Sequence, residues 1–161
     1  MSTSATDAQS TVAESTEQLK RAPLCYIAGP KHCPGVRNTI GPNGKPIRRL
    51  AYAIPVMSAD IVRFIDKYWP DPKELEGIVR PQKLSLLAEH FPGRPDETKS
   101  IAIIYLDWKA GQSCESFGVV IGKNDSEESI KKAEASQDIV RKIQDYFGTN
   151  AEPGWYKYHK F

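Results

Sequence analysis

The stretch from Ser100 to Phe147 constrains this chain more than any other, because it spells a strand, a second strand and a helix in succession. Ile101–Leu106 (IAIIYL) is the most apolar run in the sequence and is too short for a core helix, so it reads as a buried strand. A polar loop containing Gly111 separates it from Ser116–Gly122 (SFGVVIG), where β-branched Val119, Val120 and Ile121 predict a partner strand and hence a hairpin. Asp125 with Glu128 three residues on has the spacing of a capping box, and the acidic first turn suits the positive end of a helix dipole. Ile130, Ala133, Val140, Ile143 and Phe147 then fall on one stripe, which predicts a single long helix stopping at Gly148.

Upstream, Leu50–Val56 (LAYAIPV) alternates, with Leu50, Tyr52, Ile54 and Val56 on one face and Ala51 and Ala53 on the other, as a strand does. Pro55 marks its end or an edge position. Ser58 is the expected cap of a helix whose buried stripe is Ile61, Phe64, Ile65 and Tyr68, with Met57 and Val62 at staple positions and Pro70 as its stop. Asp71–Pro72 starts a further short turn, and Pro81–Phe91 reads as helix from the spacing of Leu84, Leu87, Ala88 and Phe91. Trp155–Phe161 (WYKYHKF) has the aromatic density of a final docked strand.

The N-terminal side is different in kind. Residues 1–22 are rich in Ser, Thr, Ala, Glu and Gln and lack an apolar segment, so they are expected to be a disordered tail and not a signal sequence. Residues 23–161 are then one domain, with 23–49 as an extension and 50–161 as its core. Leu24–Ala28 has the makings of a short strand. Gly29–Arg49 alternates Gly and Pro, carries Lys31, Arg37, Lys45, Arg48 and Arg49, and has no acidic residue. Its strongest turn signal is PNGKP. A basic loop of this length is a candidate anion-binding loop, with Lys31, Arg37, Arg48 and Arg49 as ligand-binding candidates. The plainer reading is a solvated cover over the sheet. No P-loop is present, since Gly44–Lys45 leads into Pro46.

Composition excludes some classes. An apolar content of 40% and a charged content of 26% are those of an ordinary water-soluble globule, and a net charge of +2 leaves any electrostatic argument to local clusters. No run approaches the roughly 18 apolar residues of a membrane span. Cys25, Cys33 and Cys114 are odd in number and lack zinc-type spacing, so reduced thiols in a cytoplasmic protein are expected, with no metal and no cofactor. The KHCPG segment sets Cys33 beside Lys31 and His32, whose charge would lower its pKa, although an incidental loop thiol explains it as well.

From Leu50 onward the order is strand, helix, helical insertion, strand, strand, helix, strand. This is the βαββαβ succession of a ferredoxin-like α+β domain, an antiparallel sheet with its helices on one face. Ile101–Leu106 is apolar on both parities, so the second face of the sheet must also be covered. The candidates are the 23–49 extension, a second subunit or an apolar ligand. At the level of element order the chain resembles dimeric α/β-barrel proteins. That resemblance implies a homo-oligomer holding a small organic ligand, with Tyr105 and Trp108 as stacking groups and Asp107 or His90 as proton-transfer candidates. The plainer account is that Asp107 ends a strand in solvent and His90 is an exposed helix-end residue.

Two other classes compete. SFGVVIG resembles the third-strand signature of the RNA-recognition motif, with Phe117 and Tyr52 at its aromatic positions. But Glu115–Ser116 stands where a Lys/Arg–Gly opening belongs, and both aromatics share a parity with core residues, so nucleic acid is not favoured. A non-catalytic protein-interaction module uses the same surfaces without chemistry. The favoured expectation is a small organic or anionic ligand-binding protein.

Overall fold

The computed structural model describes residues 26–69, 93–109 and 116–159. Expectations for the tail, Cys25, the 70–92 segment with His90, and the loop with Cys114 lie outside the described residues. The elements are β1 (Tyr26–Ile27), β2 (Leu50–Val56), α1 (Ser58–Tyr68), a 3-10 turn (Asp96–Thr98), β3 (Ile101–Ile104), β4 (Asp107–Trp108), β5 (Ser116–Lys123), α2 (Glu127–Glu134), α3 (Gln137–Phe147) and β6 (Gly154–His159). All strand pairs are antiparallel, and the class is α+β.

Both faces of the sheet are buried, one under the helices as expected and the other by closure of the sheet on itself. β2 pairs with β5 and β6, β5 pairs with β3, and β3 pairs back with β6, so the four strands close into a barrel. Residue size explains the closure. The inward parity carries Ala51, Ala53, Ala102 and Gly118, small groups that let opposite walls approach. A Cβ on Gly118 would stand 2.8 Å from Ile104 Cγ2 and 3.1 Å from Ala53 Cβ, so only glycine fits at that wall. Ile104, Val120 and Tyr156 fill what remains, and Tyr26 and Leu106 complete the cluster. The sheet's own curl thus covers its second face. The 23–49 extension contributes a two-residue strand, β1, paired with β4.

The outward parity faces the helices. Tyr52, Ile54, Val56, Phe117, Val119 and Ile101 all point this way and are buried. Phe64 of α1 stacks on Phe147 of α3 with ring centroids 4.4 Å apart, locking the two helices over the sheet. Each such aromatic buried contributes about 3 kcal/mol. Tyr52 and Phe117, at 4% and 3% exposure, are core residues, so neither belongs to an open stacking face.

Several local expectations shift. The long helix is two helices, broken at Ala135–Ser136. At the break the Gln137 N–H donates to the Ala135 carbonyl at 2.9 Å and the Ser136 N–H to the Ala133 carbonyl at 3.1 Å, in place of the regular helical ladder. Each half therefore turns its own face inward: Ala133 onto Tyr52 and Trp155, and Val140, Ile143 and Phe147 onto the main core. Ser126, not Asp125, caps α2, its Oγ accepting from the Ser129 N–H at 3.1 Å. Ser58 is the first residue of α1 and not its cap, and Asp60 Oδ2 accepts from the Met57 N–H at 2.8 Å instead. The apolar strand stops at Ile104, because the chain turns there to deliver Asp107–Trp108 to β1. PNGKP forms the expected turn, with the Gly41 N–H donating to the Lys45 carbonyl at 2.9 Å and Ile40 bridging Pro46.

Candidate functional site

A concavity lies where the extension meets β6. The Gly29–Pro30 segment runs hard against this strand. Trp155 N–H donates to the Pro30 carbonyl at 2.9 Å, and Gly29 N–H donates to the Tyr156 hydroxyl at 3.0 Å. A Cβ on Gly29 would meet the Trp155 carbonyl oxygen at 2.7 Å, so this approach requires glycine. On the other side, Tyr105 N–H donates to the Lys157 carbonyl at 2.9 Å. Between these walls is a cleft of about 530 Å³. The Trp155–Lys157 segment of β6 forms its floor, with Trp155 and Tyr156 turned to opposite faces of the strand, and Ile27, Pro30 and Leu50 are among its apolar walls. Tyr105, Asp107 and Lys157 supply its polar groups.

The floor is fixed from behind. Glu134, near the end of α2, accepts from Trp155 Nε1 at 2.9 Å and from the Cys33 N–H at 2.8 Å, both through Oε1. Its Oε2 lies 3.2 Å from His32 Nδ1. Burial works against ionisation of Glu134, but these hydrogen bonds outweigh it and hold the carboxyl below its ordinary range. The same surroundings treat Cys33 in the opposite sense. Burial raises its thiol pKa, the bond from Sγ to the Gly35 carbonyl opposes this, and the Glu134 charge adds to the rise. Burial, with the Glu134 charge adding to it, thus works against activation of Cys33 by Lys31 and His32, in line with the plainer reading of an incidental loop thiol. Burial also pushes up the Tyr156 hydroxyl, which keeps it a neutral acceptor for the Gly29 N–H.

A second polar centre organises the basic loop. Asn124 is fully buried. Its Oδ1 accepts from the Leu50 N–H at 2.8 Å, and its Nδ2 donates to the carbonyls of Arg48 at 2.9 Å and Gly35 at 3.1 Å. Its own carbonyl accepts from the Arg37 N–H at 2.9 Å. One side chain thus clamps both ends of the loop to the start of β2.

The sequence candidates separate in space. Tyr105 and Asp107 line the cleft, Tyr105 at 55% exposure. Trp108 turns toward the barrel core and meets Tyr26 edge-on at 6.3 Å between ring centroids. Its Nε1 is buried without a partner among the described residues, as is the hydroxyl of Ser116. Lys31, Arg37, Arg48 and Arg49 do not line the cleft. Arg37 pairs with Asp125 at 3.2 Å, and the charges of Arg37 and Arg49 both reach Tyr158. Lys31 and Arg48 are exposed. Trp155, Tyr156, Lys157, Glu134 and Asn124 were not singled out from sequence. The aromatic density of WYKYHKF was the available signal for the first three. Among the described residues no cluster of His, Cys, Asp and Glu stands ready to hold a metal ion, and no helix is long and apolar enough to cross a membrane.

Comparison with protein-family models, with curated proteins and with solved structures gives no match.

Proposed function

We propose that this chain binds a small organic ligand in the cleft between Gly29–Pro30, Tyr105–Asp107 and β6. The observation that carries this reading is the cleft of about 530 Å³ lined by the Trp155–Lys157 segment of β6, Tyr105 and apolar groups. Its volume falls within the usual range for small-molecule sites, which are apolar with a few placed polar groups. Lys157 at the rim favours a ligand with one anionic group, and Tyr105 with the apolar walls favours a flat or apolar body. Asp107 is the carboxylate lining the cleft, so it is the side chain through which proton transfer to a bound ligand would run.

Three wider expectations belong with this reading. The neighbour order β6–β2–β5–β3, with the helices outside, supports a ferredoxin-like sheet curled shut. The free thiol of Cys33 fits a reducing, cytoplasmic setting. Ile27 and Tyr105, at 56% and 55% exposure beside the cleft, favour the alternative of a protein-interaction module or a second copy docking there.

The test is a titration with small aromatic carboxylates followed by amide and indole chemical shifts. Shifts centred on the Trp155 indole N–H, Gly29 and Lys157, weakened by Tyr105→Ala, support a ligand cleft. Absence of any such shifts, together with a solution mass of a dimer that Tyr105→Ala dissociates, would put the interaction module in its place.

A further inference from the structure

A second site stands at one mouth of the barrel. Arg49 immediately precedes Leu50, whose β6 partner is Lys157, which sets it beside Tyr158. Lys123, the last residue of β5, holds its Nζ 5.8 Å from the centroid of the Tyr158 ring. Arg37 is brought to the same place by its N–H bond to the Asn124 carbonyl and by its pair with Asp125. Three cations from three chain segments thus meet one carboxylate, leaving a surplus of two positive charges around a tyrosine. Among the described residues neither Arg49 nor Lys123 has an ion-pair partner. Like charges held this close repel, and they stay together because Asn124 fixes the backbone on both sides of them.

We propose that this mouth binds the phosphate group of a small phosphorylated molecule, held by Arg49, Lys123, Arg37 and the Tyr158 hydroxyl. The chemistry fits each part. A guanidinium presents a fork of donors matched to phosphate oxygens, and an ammonium adds a compact point charge. The phenol adds a neutral donor. Burial pushes the Tyr158 hydroxyl up in pKa, so it stays protonated and able to donate, and Arg49 and Arg37 moderate that rise. The shape selects one phosphate over a polymer, since the cations converge on the end of a four-stranded barrel and do not form a stripe along a surface. The clamp by Asn124 means that little loop ordering is needed on binding.

The site adjoins the aromatic cleft, since Arg49 and Tyr158 neighbour its lining residues Leu50 and Lys157, but it uses different side chains and its test is separate. Inorganic phosphate and pyrophosphate are titrated by calorimetry at constant ionic strength, with chloride as the control anion. Pyrophosphate should bind, and Arg49→Gln and Lys123→Gln should each weaken it about tenfold, the loss of one charge-assisted contact. Lys45→Gln, at the tip of the PNGKP turn, should leave binding within about twofold of the parent. Vesicles of phosphatidylcholine with phosphatidic acid are measured alongside. Binding to soluble phosphate alone assigns a free metabolite, and binding to vesicles as well assigns a lipid headgroup, and either supports a phosphate site. The proposal is overturned if millimolar pyrophosphate produces no heat, if Lys45→Gln weakens binding as much as Arg49→Gln, or if only RNA binds, with a steep salt dependence. Aromatic-carboxylate shifts at Trp155 that persist in Arg49→Gln would show that the two sites stand or fall separately.

Discussion

Replacing Asn124 by Ala should destabilise the fold more than any other change at a single polar residue described here. Its side chain meets three backbone groups that no local element serves: the Leu50 N–H and the carbonyls of Gly35 and Arg48. With Ala, the Leu50 N–H and the Arg48 carbonyl lose their partner around a position of zero exposure, while the Gly35 carbonyl keeps the Cys33 thiol. A buried group left unmet costs about 1–3 kcal/mol. Arg48 is exposed, so the low end applies to its carbonyl, and with about 2 kcal/mol for the Leu50 N–H the total is about 3 kcal/mol. For a chain of this size that lowers Tm by about 9 °C. Trypsin should also cut the released loop at Arg37, Arg48 or Arg49 well below the new Tm.

Asn124→Asp separates hydrogen bonding from mere volume. The new carboxylate can still accept from the Leu50 N–H, but it turns negative oxygen toward two carbonyls. Burial and those carbonyls raise its folded pKa above the unfolded value near 3.9. The folded state then binds the extra proton more readily, so the variant's stability is greatest at low pH and is lost as pH rises through the folded pKa. The assay is thermal unfolding of the parent and both variants at about pH 4 and pH 7. The reasoning is refuted if Asn124→Ala lowers Tm by less than about 3 °C, or if Asn124→Asp loses no more stability at neutral than at acid pH.

Gly118→Ala should cost about 1–3 kcal/mol by overpacking against Ile104 and Ala53, read as a lower midpoint in urea. Phe147→Ala removes one ring of the α1–α3 stack and should cost about 3–5 kcal/mol, with loss of near-ultraviolet dichroism from that region. The Glu134 carboxyl lies below its ordinary value of 4.5, so its stabilisation is present above that value and is lost as pH falls through the folded pKa. The Tm gap between the parent and Glu134→Gln should therefore close toward about pH 3, and a gap that widens there would refute the assignment.

The order of strands and helices was legible because it depends on period. β2 alternates as Leu50–Val56 predicts, and the α1 stripe of Ile61, Phe64 and Ile65 is buried as spaced. The caps moved by one residue because Ser126 and Asp125, or Met57 and Ser58, compete over neighbouring positions, and only the full path of the chain decides between them. The break in the long helix was not legible, because Ala133 and Val140, seven residues apart, share one face of a continuous helix as well.

The covered second face was a sound deduction, but its main cover, the opposite wall of the same sheet with Tyr26 of the extension beside it, was not among the candidates as such, and the reason is physical. Apolarity on both parities of Ile101–Ile104 says only that water is excluded from both sides. What excludes it is set by the volume of the inward residues. A sheet covered by a second subunit or a ligand carries bulk on that face, whereas Ala51, Ala53, Ala102 and Gly118 leave room only for the opposite wall of the same sheet. Once that wall closes, an interior large enough for a ligand disappears, and binding surfaces move to the ends and the outside of the barrel. Tyr105 and Asp107 end in an outer cleft, and Arg49 and Lys123 end at a mouth. Asn124 joins the start of β2 to a loop 89 residues earlier in the chain, a relation that no local spacing can announce.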